Sequence, residues 1–556
     1  MRHSSGQRVT TWAAGLVLWL GALPAISQQA PPSALPGVFG EVLDVRVVNL
    51  EVVVTDRDGI PILGLRPQDF ELMVDDVPVP IDYFSEVRGG LAVEAGAGGV
   101  VAGVPELAPG EPVGTSYLLF IDDFFALAAD RDRILEGIVE DLPLLRPEDR
   151  MAVVAFDGRN PEMLSSWSSE VATLERVLKR ARERPALGLH RIAERRQFSV
   201  DQDLALRELL QSDIFGSRTV RTQLSPQERS WVQLVSEQLD RTMAAASATL
   251  RSFAKPPGRK VMILLSGGWP FLPTDFLLGD FSRVILDRGG LEGEDLYKRL
   301  IDTANLLGYT LYPVDVPGFD RNIVDTSIAS TSEAAPLGRN MIRQQELHYT
   351  LSYLAEETGG KAFLNAARRD AFSGVASDTR SYYWLGFTPD RAWDDERHTV
   401  EVQVAQTGYR VRSREGYLDT SRSREVTMAV ESALLFGNAS SENVLGVSTG
   451  EPRKAGLRKM EVPLRVEIPL VHVTFLPVGE GYASQLELRI AVQDAKGRRA
   501  EIPVVPFTLR AQQPPTGGTT TFETGVLLRR EPHDAVVAVY DTASGRILSA
   551  GLSIEP

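Results

Sequence analysis

The chain has 556 residues, 43% of them hydrophobic and 24% charged, with a formal net charge of −15. It is too long for one hydrophobic core, so about three or four folded units are expected, and the acidic balance disfavours nucleic acid or anionic lipid as the main partner. The lack of cysteine excludes disulfides, thiolate metal sites and cysteine nucleophiles together.

In chain order, Arg2, His3 and Arg8 precede an apolar run from Trp12 to Leu23, followed by Pro24 and Ala25-Ile26-Ser27. Twelve apolar residues in a helix span about 18 Å against a ~30 Å bilayer core. Residues 1–27 therefore read as a cleaved signal peptide, with an exported product, periplasmic or extracellular, that has no membrane span. A Pro/Ala/Gln-rich linker covers 28–41. Residues 42–88 read as a small β domain. Val48, Leu50, Val52 and Val54 alternate with their neighbours, Asp56-Arg57-Asp58-Gly59 makes a turn, and strands follow over Phe70–Asp75 and Ile81–Val87. The Gly/Ala/Pro composition of 89–114 reads as a second linker.

From 115 to 389 strand and helix signals alternate. Tyr117–Ile121, Met151–Phe156, Val261–Leu265 and Tyr309–Val316 are apolar runs suited to a parallel sheet buried on both faces. Helical spacing recurs at Ile134, Leu135, Ile138, Val139 and Leu142, at Leu174, Val177 and Leu178, and at Leu351, Leu354 and Ala355. An α/β three-layer domain is expected, with ligands at the carboxyl ends of the strands. A helical insertion, 185–256, interrupts it with pieces at Val200–Phe215 and Pro226–Ala254. Arg180, Arg182 and Arg184 lead into the insertion, and Arg191, Arg195 and Arg196 lie in it, either as a solvated face or as a docking patch for an acidic partner. Residues 390–420 read as a β-hairpin tail. Residues 421–556 hold six or seven short strands, among them Leu464–Ile468, His472–Val478, Leu486–Val492, Ile502–Leu509, Thr519–Leu528 and Ala535–Tyr540, as in an immunoglobulin-like β-sandwich.

Several segments carry a family resemblance: Gln68–Leu72, Tyr117–Asp123, Pro257–Gly268, Leu354–Gly360, Tyr383–Pro389 and Arg414–Tyr417. In order and spacing they resemble the bacterial secreted VWFA-related proteins, whose central unit is a von Willebrand factor A-type (VWA) domain, a Rossmann-like three-layer sandwich. The resemblance implies a metal-ion-dependent adhesion site: Asp-x-Ser-x-Ser after the first strand, a Thr from a second loop and an Asp after a later strand, together holding Mg2+. An octahedral Mg2+ needs oxygen ligands at those positions. Here Asp122 is kept, but Phe124 and Ala126 stand at the serine positions, Ser168 stands in for the Thr, and Gly267 in Ser266-Gly267-Gly268 replaces the Asp. The site reads as degenerate: no cofactor is expected, and if Mg2+ binds, Asp122, Asp123 and Ser168 are its candidate ligands. Phe124, Phe125, Ser266, Gly267, Trp269, Arg191, Arg195 and Arg196 are the candidate partner-binding residues.

Enzymatic readings find little support. Gly446-Val447-Ser448-Thr449-Gly450 has the G-x-S-x-G spacing but lacks the strand-to-helix context of a nucleophile elbow. The six histidines show no metal-ligand spacing. Asp390, Asp394, Asp395 and Glu396 form an acidic cluster, either a solvated loop or a weak Ca2+ site. The leading expectation is a non-catalytic exported protein that contacts an unknown protein partner. The alternatives are a metal-dependent adhesion protein that binds an acidic ligand group, and a hydrolase with an unrecognised site.

Overall fold

The computed structural model describes residues 47–93, 108–195, 226–254, 258–278, 293–318, 337–389, 394–436, 445–456, 459–479, 481–495 and 497–555. Residues 1–46, with the expected signal peptide, and 200–215, with the first expected helix of the insertion, lie outside that set, as do Arg196 and Asp390. The chain is mixed α/β, and its described residues divide into a larger unit, within 44–421, and a smaller one, within 422–556.

The larger unit begins with β1 (Val48–Thr55), β2 (Phe70–Val74), β3 (Val77–Pro78), β4 (Tyr83–Arg88) and β5 (Leu91–Ala92). These strands do not form a sheet by themselves. β11 (Tyr382–Phe387) lies between β1 and β4, and β13 (Arg410–Arg412) borders β1, giving the order β13-β1-β11-β4-β5. A second sheet runs β14 (Gly416–Leu418), β12 (Arg397–Val404), β2, β3. Leu50, Val52, Phe70, Leu72, Phe84, Tyr383, Leu385, Val400 and Val402 form one core between them. Residues 390–420, expected as a separate tail, thus share sheets and a core with 48–92. The boundaries expected at 88 and 389 do not coincide with any break in packing, because alternating strands from both ends of the chain bury a common apolar face.

Between those ends lies a five-stranded sheet: β6 (Thr115–Asp122), β7 (Arg150–Phe156), β8 (Pro161–Ser168), β9 (Arg259–Ser266) and β10 (Tyr309–Asp315), in the order β10-β9-β6-β7-β8. β10, β9, β6 and β7 are parallel and β8 is antiparallel. Every residue of β6 is buried, as a run apolar on both faces requires. Helices α1 (Ala128–Asp141), α2 (Val171–Arg182), α3 (Pro226–Ser252), α4 (Pro273–Leu278), α5 (Gly293–Leu307), α6 (Leu337–Glu356) and α7 (Ala371–Asp378) connect and cover these strands. Ile134, Leu135, Ile138, Leu174, Leu178, Phe372 and Val375 join Leu119, Ile121, Val153 and Ile263 in one core.

The smaller unit holds α8 (Arg422–Phe436), β15 (Gly446–Thr449), β16 (Arg453–Lys454), β17 (Lys459–Pro469), β18 (Leu476–Val478), β19 (Gly481–Asp494), β20 (Val504–Ala511), β21 (Thr519–Arg529), β22 (His533–Asp541) and β23 (Ile547–Ile554). All of its pairings are antiparallel. One sheet is built on β17 with β15, β16 and β21; the other is built on β19 with β18, β20 and β22, and β23 extends β22. Val462, Leu464, Val466, Leu488, Ile490, Val526, Val537 and Val539 share its core. The helix at its start is absent from the sequence reading. Its buried Arg489 donates to Thr427 Oγ1 and Ser423 Oγ of α8, at 2.8 and 2.6 Å.

Candidate functional site

The carboxyl ends of β6 and β9 lie side by side where the chain, having moved from β6 to β7, returns to the other side of β6. In an open α/β sheet this topological switch point is where ligands gather. β6 delivers Asp122 as its last residue, and the segment after β9 delivers Trp269.

Asp122 is fully buried and both of its carboxyl oxygens are engaged. Oδ1 accepts from the amides of Phe124 and Phe125 at 3.0 and 3.3 Å, closing the loop over its own side chain. Oδ2 accepts from the Trp269 indole Nε1 at 2.7 Å. Burial pushes the Asp122 carboxyl up to about 7, opposed by the indole and the two amides and reinforced by the neighbouring Asp123 carboxylate.

Asp123 is equally buried. Its Oδ1 meets Arg131 Nη1 of α1 at 2.6 Å and its Oδ2 meets Arg184 Nε at 2.9 Å. Burial pushes its carboxyl up, opposed by the two guanidinium groups. Arg131 has no exposed side-chain surface and also donates to the carbonyls of Arg182 and Arg184 at 3.0 Å. This buried carboxylate with two arginines fastens the chain after α2 beneath the Asp122 loop.

Backbone fills the remaining space. A Cβ at Gly267 would lie 2.2 Å from Ala126 N, one at Gly188 2.3 Å from Ala126 O, and one at Gly318 2.2 Å from Gly267 O. Phe124 lies against Gly158, packs edge-on to Phe125 at 4.8 Å and carries the Arg191 guanidinium over its ring at 4.7 Å. The loop at the switch point is a closed plug of backbone and aromatic rings.

The structure gathers Asp122, Asp123, Phe124, Phe125, Ser266, Gly267 and Trp269 at this one place. It does not bring Ser168 there. Ser168 pairs with Met151 at the start of β7, whereas Asp122 pairs with Phe156 at its end. Five residues of strand, roughly 17 Å, separate the two, because β8 runs antiparallel. Ser168 Oγ instead accepts from Glu170 N ahead of α2. Three of the arginines turn inward rather than outward: Arg184 binds Asp123 and Glu162, Arg191 pairs with Glu194, and Arg195 is 2% exposed, whereas Arg180 is exposed. Partner contact through Arg195 therefore meets a buried side chain. Phe125, Ser266 and Trp269 are buried as well. Arg131 was not singled out in the sequence, where it reads as one of several charges on a helix, and no local spacing joins it to Asp123.

Ser448 lies on β15, an exposed strand paired antiparallel with β17, so no sharp strand-to-helix turn presents it. Asp56 Oδ1 accepts from the amides of Asp58 and Ile60, which makes Asp56–Gly59 a turn. Among the described residues, no helix is long and apolar enough to cross a membrane.

At the level of class, the fold and its plugged switch point define a mixed α/β protein with an α/β sheet and antiparallel sheets. No protein-family model and no curated protein matches the chain. Solved structures similar to parts of it include a β-glucuronidase from Bacteroides uniformis, 11% identical, covering 32% of this chain and 19% of that one, with a TM-score of 0.14. A protein from Archaeoglobus fulgidus is 9% identical, over 20% of this chain and 94% of that one, also with a TM-score of 0.14. At such scores neither likeness bears on fold family or function.

Proposed function

We propose that the chain is an exported, non-catalytic VWA-type protein of the VWFA-related kind that contacts a protein partner without a metal ion at its switch point. Support for a VWA-type centre comes from the strand order β10-β9-β6-β7-β8 and the motif order along the sequence. The antiparallel sheets of the smaller unit support an immunoglobulin-like partner domain.

One observation carries the metal-free reading: both oxygens of Asp122 are spent on Trp269 and on the Phe124 and Phe125 amides. A Mg2+ ion would need that carboxylate and several more oxygens. The phenyl ring of Phe124 and the closely packed Gly267 supply none. Contact then falls to the exposed rim, where Leu189, 58% exposed, stands next to the Gly188–Ala126 hydrogen bond.

Thermal unfolding of a chain starting at Gln28, in EDTA and then in excess Mg2+, Mn2+ or Ca2+, tests this reading, with Asp122→Ala as control. A ligand bound only to the native state at 100 times its Kd stabilises by about 2.7 kcal/mol. No stabilisation dependent on Asp122 is expected. A shift that Asp122→Ala abolishes would overturn the proposal and restore a metal-dependent adhesion site.

A further inference from the structure

Away from the switch point, four side chains converge at one end of the sheet β14-β12-β2-β3. Asp75 lies in the turn between β2 and β3, Asp394 precedes β12, His398 is on β12, and Asp419 follows β14. His398 and Asp419 are 4% and 3% exposed, while Asp394 faces solvent. One ligand atom from each of Asp394, His398 and Asp419 lies within 4.8 Å of the other two. The imidazole is held from behind: Nδ1 lies 2.8 Å from Asp75 Oδ2, and Nε2 lies 3.1 Å from Asp394 Oδ2. Asp75 is itself fixed, its Oδ1 accepting from Thr399 N at 3.0 Å.

We propose that Asp394, His398 and Asp419 form a binding site for a divalent transition-metal ion of the Zn2+ type, with Asp75 as the residue that orients the histidine. The donor set is one imidazole and two carboxylates, which suits such an ion and leaves a fourth position for water. Ligand atoms on a tetrahedral Zn2+ stand roughly 3.4 Å apart, so the cluster needs only small side-chain movements to close on an ion. Asp75 accepting from Nδ1–H leaves the Nε2 lone pair for the metal, the carboxylate–histidine pairing that sets the tautomer at metal sites. Carboxylates from three separate stretches of chain would then be tied at one sheet end, so the ion would add to the stability of the sandwich.

The competing arrangement of the same atoms is an imidazolium bridging Asp75 and Asp394. Burial opposes charge on the ring, but those two carboxylates outweigh it and raise the His398 pKa above its ordinary value. Zn2+ must displace the Nε2 proton, so its affinity should fall by up to ten-fold per pH unit as the ring protonates.

The experiment is a calorimetric titration of the tag-free chain from Gln28, stripped with chelator, using Zn2+ at pH 7.5 and 6.0, with X-ray absorption spectra of the loaded protein. One Zn2+ per chain is expected, with an imidazole in its shell and weaker binding at pH 6.0. Asp394→Asn, at the exposed position, should lower the affinity at least ten-fold with the melting temperature of the metal-free protein little changed. His398→Gln should abolish binding. Asp122→Ala should leave the titration unaltered, which separates this site from the loop after β6. No saturable heat in the parent protein overturns the proposal. So does Zn2+ binding that survives both Asp394→Asn and His398→Gln, or that Asp122→Ala abolishes.

Discussion

Arg131→Met removes a guanidinium with no exposed surface that holds Asp123 Oδ1 at 2.6 Å and the carbonyls of Arg182 and Arg184 at 3.0 Å. Methionine fills much of the aliphatic volume, so the loss is chiefly electrostatic. Breaking a buried pair by removing one partner costs about 3–5 kcal/mol, because the surviving charge stays buried. Arg184 still faces Asp123 Oδ2, which places the expected loss near the lower figure, about 3 kcal/mol. The assay is urea unfolding followed by tryptophan emission. In a chain from Gln28 every tryptophan (Trp167, Trp231, Trp269, Trp384 and Trp393) belongs to the larger unit, so the signal reports that unit alone. The variant should also show a larger pH dependence than the parent. Burial already raises the Asp123 pKa, and losing Arg131 raises it further. A raised acid binds more protons folded than unfolded, so the variant should lose stability as pH rises from its unfolded value through the folded one. Adding Asp123→Asn should recover part of the loss and flatten that profile. A loss below about 1 kcal/mol, or strict additivity of the two substitutions, would refute the reasoning.

Other outcomes follow from neighbouring residues. Asp122, raised from 3.8 to about 7, should make the larger unit lose stability as pH rises from about 4 to about 7 and then level off, with a ceiling of roughly 4 kcal/mol; Asp122→Asn should flatten this profile in urea titrations at stepped pH. Gly267→Ala puts a Cβ 2.2 Å from Ala126 N, and overpacking against backbone should cost about 1–3 kcal/mol in the same unfolding assay. Arg489→Met breaks the bonds from β19 to Ser423 and Thr427 of α8, so a calorimetric transition of the smaller unit should move down while the tryptophan-detected one stays in place.

The central strands were legible because burial on both faces leaves a continuous apolar signature: β6, β7, β9 and β10 fall on the runs that predict them. β8 was not, since Pro161–Ser168 alternates poorly and its pairing with β7 carries register shifts. Helix α8 was missed because its apolar positions are scattered among charges and its contacts with β19 and β22 lie far along the chain. At the site, Asp122 and Gly267 could be read from motif position. Trp269 as the partner of Asp122, and Arg131 and Arg184 as partners of Asp123, could not, because these pairings are set by tertiary folding and have no local spacing rule. The acidic cluster before β12 was visible as charge, but its association with His398, Asp75 and Asp419 depends on two sheet registers. The exposure of Arg184 and Arg191 was misjudged from composition, which records charge and not the carboxylates folded against them.

The placement of β11 between β1 and β4 bears on the order in which the protein can be built. The Leu65 amide donates to the Tyr383 hydroxyl across 318 positions of sequence, and Val48 finds Phe387 only after the whole central sheet has been made. A ribosome synthesising from the amino end therefore delivers β1 and β4 long before the strand that joins them. Until β11 arrives their edges stay open, and open edges invite pairing with other chains. The central α/β sheet, whose strands are all synthesised before β11, can close first and carry β11 into the gap. Truncation before residue 382 should thus leave the amino-terminal strands without their middle, and a late chaperone requirement would trace to that missing strand.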